Sequence, residues 1–286
     1  MKKKDWICLL LAAVCLGVLV CYQTLGNLRT DKTAPEITME DRVPELSVLD
    51  SREMLLQGVT ARDNVDGDVT ASLVVESVRL LRTDGTVTVT YAAFDRAGNV
   101  GKKTREVLYT DYESPRFSLE SALLFSQKNY DLLSLISASD MLDGNITGRI
   151  RATALDEVVS GYSGTYRVRF QVTNSLGDTV DLVLPVEVYT PGANEASMTL
   201  TDYLIYLEDG EAFNSRAYLK EFTLGRETIS LEGNLPNTME LTVSGTVDTG
   251  TPGVYEVNYQ LTYCPDPNRS QQVYNAYSKL IVVVEG

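Results

Sequence analysis

The chain has 286 residues, a formal net charge of −14 and no histidine. Without imidazole it has no Ser-His-Asp or Cys-His catalysis and no His-containing zinc site, and so acidic a chain is unsuited to phosphate backbones, which excludes nucleic acid as a partner. Only Cys264 lies outside the first 26 residues, so no disulfide can staple the folded part and its core must carry the stability.

In chain order, Lys2, Lys3 and Lys4 precede an uncharged stretch from Trp6 to Gly26. As a helix, Trp6 to Leu25 would run about 30 Å at about 1.5 Å per residue, the thickness of a bilayer's hydrocarbon layer. By the positive-inside tendency the lysines stay in the cytoplasm. Residues 1–5 are therefore expected to be cytoplasmic, 6–26 a membrane anchor, and the rest extracellular, in a single-pass cell-membrane protein. A cleaved signal peptide competes with this reading, because Thr24 and Gly26 are small enough to precede a cut at Asn27. Val20 before Cys21, and Val14 before Cys15, depart from the small residue that lipidation needs.

Beyond the anchor the chain repeats itself at about 80 residues. The segment Ala61-Arg-Asp63-Asn-Val-Asp66-Gly67-Asp68-Val69-Thr70 lines up with Ala138-Ser-Asp140-Met-Leu-Asp143-Gly144-Asn145-Ile146-Thr147. Thr86 to Tyr91 matches Thr165 to Phe170, and Asp95-Arg-Ala-Gly98-Asn99 matches Asn174-Ser-Leu-Gly177-Asp178. A third, divergent copy keeps Pro252-Gly253-Val254-Tyr255 and the strand after it but lacks the Asp-Gly landmark. Turn residues around Pro35, Pro115 and Pro191 set the expected domains at 27–110, 111–190 and 191–286.

Within each copy the apolar period is two, as in strands with one buried face. Val87, Val89 and Tyr91 alternate with threonines; Tyr166, Val168, Phe170 and Val172 do the same, as do Leu182, Leu184, Val186 and Val188, and Tyr255, Val257, Tyr259 and Leu261. Short strands bounded by Gly, Asn and Asp predict an all-β fold of tandem immunoglobulin-like β-sandwiches following one N-terminal transmembrane helix. Ser121 to Ile136 has the weakest strand signal and could hold a helical turn.

Three ordered blocks, Thr33-Ala-Pro35-Glu-Ile-Thr38, Ala61 to Thr70, and Val89 to Asn99, resemble the bacterial Ig-like repeat of surface proteins and of an insecticidal crystal protein. The second copy keeps all three blocks with Asn145 and Asn174 in place of aspartates; the third keeps only its Pro-Gly-x-Tyr block and closing strand. The resemblance implies an extracellular sandwich used for spacing or adhesion, and it implies no catalysis.

Asp63, Asp66 and Asp68 crowd around Gly67, and Asp140, Asp143 and Asn145 around Gly144. Oxygen ligands this dense suit calcium, the one cofactor the chain suggests. The other reading is a turn in which Gly supplies the positive φ and the aspartates cap backbone amides. Asp95 and Asn99 read as turn formers. The third copy holds Tyr203, Tyr206, Tyr218, Tyr255, Tyr259, Tyr263, Tyr274 and Tyr277, which either stack on a ligand or fill and decorate a sheet. Cys264, beside Pro265, reads as an incidental small residue or an exposed thiol. The expected partners are a cell-envelope protein or polysaccharide, with the membrane held through the N-terminal helix. The expected role is a non-catalytic spacer or binding protein, and the alternative is an adhesin or carbohydrate-binding protein with recognition in the third copy.

Overall fold

The computed structural model describes residues 6, 11–21, 31–126, 131–156, 163–190, 196–266 and 272–286. Residues 11–21 are helical with every side chain exposed, while residues 7–10 and 22–26 of the expected anchor lie outside the described residues. Among the described residues no helix is long and apolar enough to cross a membrane. The chain divides into two compact units, Met1–Tyr112 and Glu113–Gly286.

The first unit contains seven strands among its described residues: β1 (Glu36–Met39), β2 (Glu45–Leu46), β3 (Val59–Asp63), β4 (Gly67–Asp68), β5 (Val74–Leu80), β6 (Thr86–Phe94) and β7 (Val100–Tyr109). They form two sheets, ordered β1-β3-β4 and β2-β7-β6-β5, so the chain changes sheet between β1 and β2. The short β2 pairs parallel to β7, and every other pairing is antiparallel. Val87, Val89 and Tyr91 are fully buried, as their alternation requires, and Ile37, Leu55 and Val59 of the same unit are buried as well. The Tyr91 hydroxyl donates to the Leu55 carbonyl at 2.7 Å, which anchors the 3₁₀ turn Arg52–Leu56 to the core.

The second unit holds two sandwiches. One comprises β8 (Arg116–Leu119), β9 (Leu124–Ser126), β10 (Ile136–Asp140), β11 (Gly144–Asn145), β12 (Arg151–Ala154), β13 (Gly164–Thr173) and β14 (Thr179–Tyr189). The other comprises β15 (Ser197–Leu200), β16 (Leu204–Leu207), β17 (Leu219–Leu224), β18 (Glu227–Ser230), β19 (Met239–Ser244), β20 (Gly253–Tyr263) and β21 (Tyr274–Val284). Their sheets run β8-β10-β11 with β9-β14-β13-β12, and β15-β17-β18 with β16-β21-β20-β19. All three sandwiches therefore share one strand order, including the third, whose sequence had drifted furthest. The weakly patterned stretch after Ser121 holds β9 and a 3₁₀ turn over Leu132–Ser134; residues 127–130 lie outside the described residues.

The second and third sandwiches are not independent beads. Leu204 and Ile281, from β16 and β21, are buried in the same apolar cluster as Phe117, Phe170, Leu184 and Val186 of the second sandwich. Tyr206 reaches the same junction, where its hydroxyl accepts the Phe117 N–H at 2.9 Å, and Arg116 pairs with Glu285 at 2.7 Å. Burial pushes the Tyr206 phenol up to about 12, against the opposing pull of the Phe117 amide. Most of the third copy's tyrosines serve packing: Tyr259 is buried, Tyr203, Tyr218, Tyr255, Tyr263 and Tyr274 pack at the edge of its core, and Tyr277 is exposed. Cys264 is half-buried, its thiol 3.5 Å from the Asp266 carbonyl.

Candidate functional site

The aspartates of the Asp-Gly motif each accept a backbone N–H. Asp63 closes β3, and its Oδ1 accepts the N–H groups of Val65 and Asp66, both at 2.8 Å. Gly67 takes φ +73°, a conformation that costs an L side chain energy, and so reverses the chain. Asp68 Oδ1 accepts the Thr70 N–H at 2.9 Å, and the Thr70 hydroxyl accepts the Ala61 N–H at 3.1 Å. Asp66 turns away, its Oδ2 accepting the Arg96 N–H at 2.8 Å, which ties this turn to the hairpin between β6 and β7. The amides of Asp66 and Val65 hold the Asp63 carboxyl below the ordinary range, and the Thr70 hydroxyl and amide do the same for Asp68.

The second sandwich repeats the device. Asp140 Oδ1 accepts from Leu142 and Asp143, Asn145 Oδ1 from Thr147, and Asp143 Oδ2 from the Ser175 N–H at 2.7 Å and the Arg149 guanidinium. Desolvation of Asp143 is outweighed by Ser175 and Arg149, which leaves its carboxyl low. In both motifs the carboxylates cap backbone amides, and among the described residues Asp63, Asp66 and Asp68 do not bring three oxygens within 4.8 Å of one another.

A different set forms instead. Asp31, ahead of β1, Asp63, at the end of β3, and Asp95, just past β6, bring one carboxylate oxygen each within 4.8 Å of one another, and among the described residues no other such group occurs. Asp63 is 4% exposed and Asp95 is buried. Asp63 Oδ2 and Asp31 Oδ2 are buried without a hydrogen-bond partner among the described residues. Their other oxygens are occupied, Asp63 Oδ1 as above and Asp31 Oδ1 by the Thr33 N–H at 3.0 Å. Asn99 brackets the group: its N–H donates to Asp95 Oδ1 at 2.7 Å, and its side-chain amide donates to Asp95 Oδ2 at 2.6 Å and to the Asp31 carbonyl at 3.1 Å. Asp95 and Asn99 are turn formers, as expected, but Asp95 is also part of this buried set. The approach of the leading segment is close, since a Cβ on Gly101 would fall 1.9 Å from the Pro35 carbonyl oxygen.

The equivalent place in the second sandwich is arranged differently, with the amide and the carboxylate exchanged between Asn174 and Asp178. Asn174 stands where Asp95 does, and its side-chain amide donates to Asp140 Oδ2 at 2.9 Å, so the oxygen left free on Asp63 is satisfied on Asp140. Asp111, the counterpart of Asp31 in the sequence repeat, is engaged by the Ser47 hydroxyl at 2.6 Å and the Val48 N–H at 2.8 Å.

A second feature lies in the Glu113–Gly286 unit, a cleft of about 860 Å³ lined by residues that include Leu124, Tyr189, Asn258 and Tyr277. At its wall Lys279, 2% exposed, pairs with Glu256 at 2.7 Å and Glu187 at 3.3 Å. A buried ammonium is tolerable only with such partners.

No protein-family model matches the chain. It is similar to the pesticidal crystal protein Cry22Aa of Bacillus thuringiensis, with 30% identity over 141 residues that cover 48% of this chain and 18% of that protein. The chain thus spans less than a fifth of that relative, and the similarity agrees with the Ig-like repeat that the sequence resembles. Among solved structures it is similar to the CBM51-2 and INT domains of Clostridium perfringens ZmpB in complex with GlcNAc, at 17% identity over 54% of this chain and 30% of that one, TM-score 0.25. The Protocadherin GammaB4 extracellular domain aligns at 10% identity over 88% of this chain and 50% of that one, TM-score 0.20. At these scores neither superposition bears on ligand or activity.

Proposed function

We propose that the chain is a non-catalytic, extracytoplasmic Ig-like spacer, held at the cell membrane through residues 6–26 with its C-terminal part outside. The observation that carries the spacer reading is the shared cluster of Leu204 and Ile281 with Phe117 and Phe170. A buried apolar junction stiffens two sandwiches against each other, whereas a beads-on-a-string array relies on linkers alone. Membrane attachment is supported by the uncharged span behind Lys2 to Lys4 and by the exposure of helical Leu11, Leu16 and Leu19. Protease added outside spheroplasts is expected to remove an epitope fused after Gly286. Protection of that epitope would overturn the orientation, and a mature chain beginning near Asn27 would overturn the uncleaved anchor.

The second reading, recognition of a cell-envelope protein or polysaccharide, is favoured by the cleft, where exposed Tyr277 and the Lys279–Glu256 pair combine a ring face with charge. Pull-down from an envelope extract with the full chain and with Tyr277→Ala tests it: capture by the parent chain and its loss in the variant support recognition, and equal capture by both removes it.

A further inference from the structure

We propose that Asp31, Asp63 and Asp95 bind one calcium ion, which fastens the segment entering the first sandwich to the tip of that sandwich. The inference is independent of the spacer reading.

Three observations converge. The three carboxylate oxygens come from segments far apart in sequence, yet they meet within 4.8 Å, and among the described residues no ion pair with Lys or Arg reaches any of them. Asp63 Oδ2 is buried without a donor among the described residues although Oδ1 of the same carboxylate accepts two N–H groups, and Asp31 Oδ2 is likewise orphaned. Buried anionic oxygens are retained where a partner completes them. The second sandwich supplies that partner internally, because the Asn174 amide donates to Asp140 Oδ2; the first sandwich carries Asp95 at that position and leaves the role to a cation.

The donor set selects the ion. All three ligands are hard carboxylates, the chain has no histidine, and Cys264 belongs to the other unit. Calcium takes about six to eight oxygens with loose geometry, so three side chains leave positions for water, whereas magnesium demands a stricter octahedron. The mechanical consequence follows from Asp31. It leads the Asp31–Pro35 segment, which connects the N-terminal apolar stretch to β1, and it is otherwise held by the Asn99 side-chain amide and by the contact of Pro35 with Gly101. Calcium shared between Asp31 and the turns at Asp63 and Asp95 makes that entry rigid, and its removal loosens the entering segment from the tip of the first sandwich.

Equilibrium dialysis of the calcium-stripped full-length protein against radioactive calcium tests this. One ion per chain is expected, with a dissociation constant of roughly 10⁻⁴ to 10⁻³ M, as for extracellular modules, and weaker competition by magnesium. Asp63→Asn and Asp31→Asn should each weaken binding at least about ten-fold, because each removes an anionic ligand. Asp68→Asn, which keeps its cap on Thr70, should bind as the parent does. Hydrogen exchange at residues 32–34 should slow on adding calcium in the parent chain and not in Asp31→Asn. Asp31 is itself only half-buried and is followed by exposed residues 32–34, so its variant remains interpretable if Asp63→Asn fails to fold. No saturable calcium binding by the folded parent, or parent-like binding by Asp31→Asn, overturns the proposal.

Discussion

Truncating Leu204 to alanine tests whether the second and third sandwiches are one cooperative body. Leu204 is 7% exposed, and its side chain belongs to the third sandwich by sequence but to the second by packing. Leu→Ala in a packed core removes transfer free energy and leaves a partly collapsed cavity, together about 3 kcal/mol or somewhat more. A unit of about 150–250 residues, the size class of Glu113–Gly286, loses about 2–4 °C per kcal/mol, so its transition should fall by about 6–12 °C. The assay is differential scanning calorimetry of the full chain in detergent, with Val89→Ala as the marker for the first unit, since Val89 is fully buried there. Leu204→Ala should move the Glu113–Gly286 transition as one peak and leave the Met1–Tyr112 transition in place. If the peak instead splits, and only the part belonging to one sandwich shifts, the shared core does not couple the two and the reasoning fails.

Other expectations follow from single contacts. The Tyr259 hydroxyl donates to the Ser215 carbonyl at 2.7 Å, so Tyr259→Phe should cost about 1 kcal/mol and lower the same transition by a few degrees; an unchanged melt would mean that water replaces the bond. Gly101→Ala drives a methyl group into the Pro35 carbonyl and should destabilise the first unit by about 1–3 kcal/mol, read as a lower transition for that unit alone. Asp156 is held down to about 2 by the Arg167 side chain and amide, so its contribution is complete above about pH 4 and is lost as pH falls through about 2. Melting temperature should therefore decline over that interval, and less steeply in Asp156→Asn; parallel declines would assign the acid sensitivity to other carboxylates.

The residues of the sequence alone determined the repeat, its β period and its turns. Val87, Val89 and Tyr91 alternate because one sheet face is buried, and the Asp-Gly motifs at Gly67 and Gly144 reverse the chain because glycine alone adopts that φ cheaply, both consequences of local chemistry that any window of ten residues carries. Tertiary structure decided which aspartates meet. Asp66 and Asp68 stand closest to Asp63 in sequence but are consumed by Arg96 and Thr70, while Asp31 and Asp95 converge on Asp63 only because strands β1, β3 and β6 bring their ends to one tip of the sandwich. No spacing in the sequence encodes that meeting, since it depends on which strands are neighbours across two sheets. The same limit hid the union of the second and third sandwiches. Leu204 looks like any core leucine of its own repeat, and its burial beside Phe117 and Phe170 is set by how the two sandwiches abut, a packing relation with no local signature.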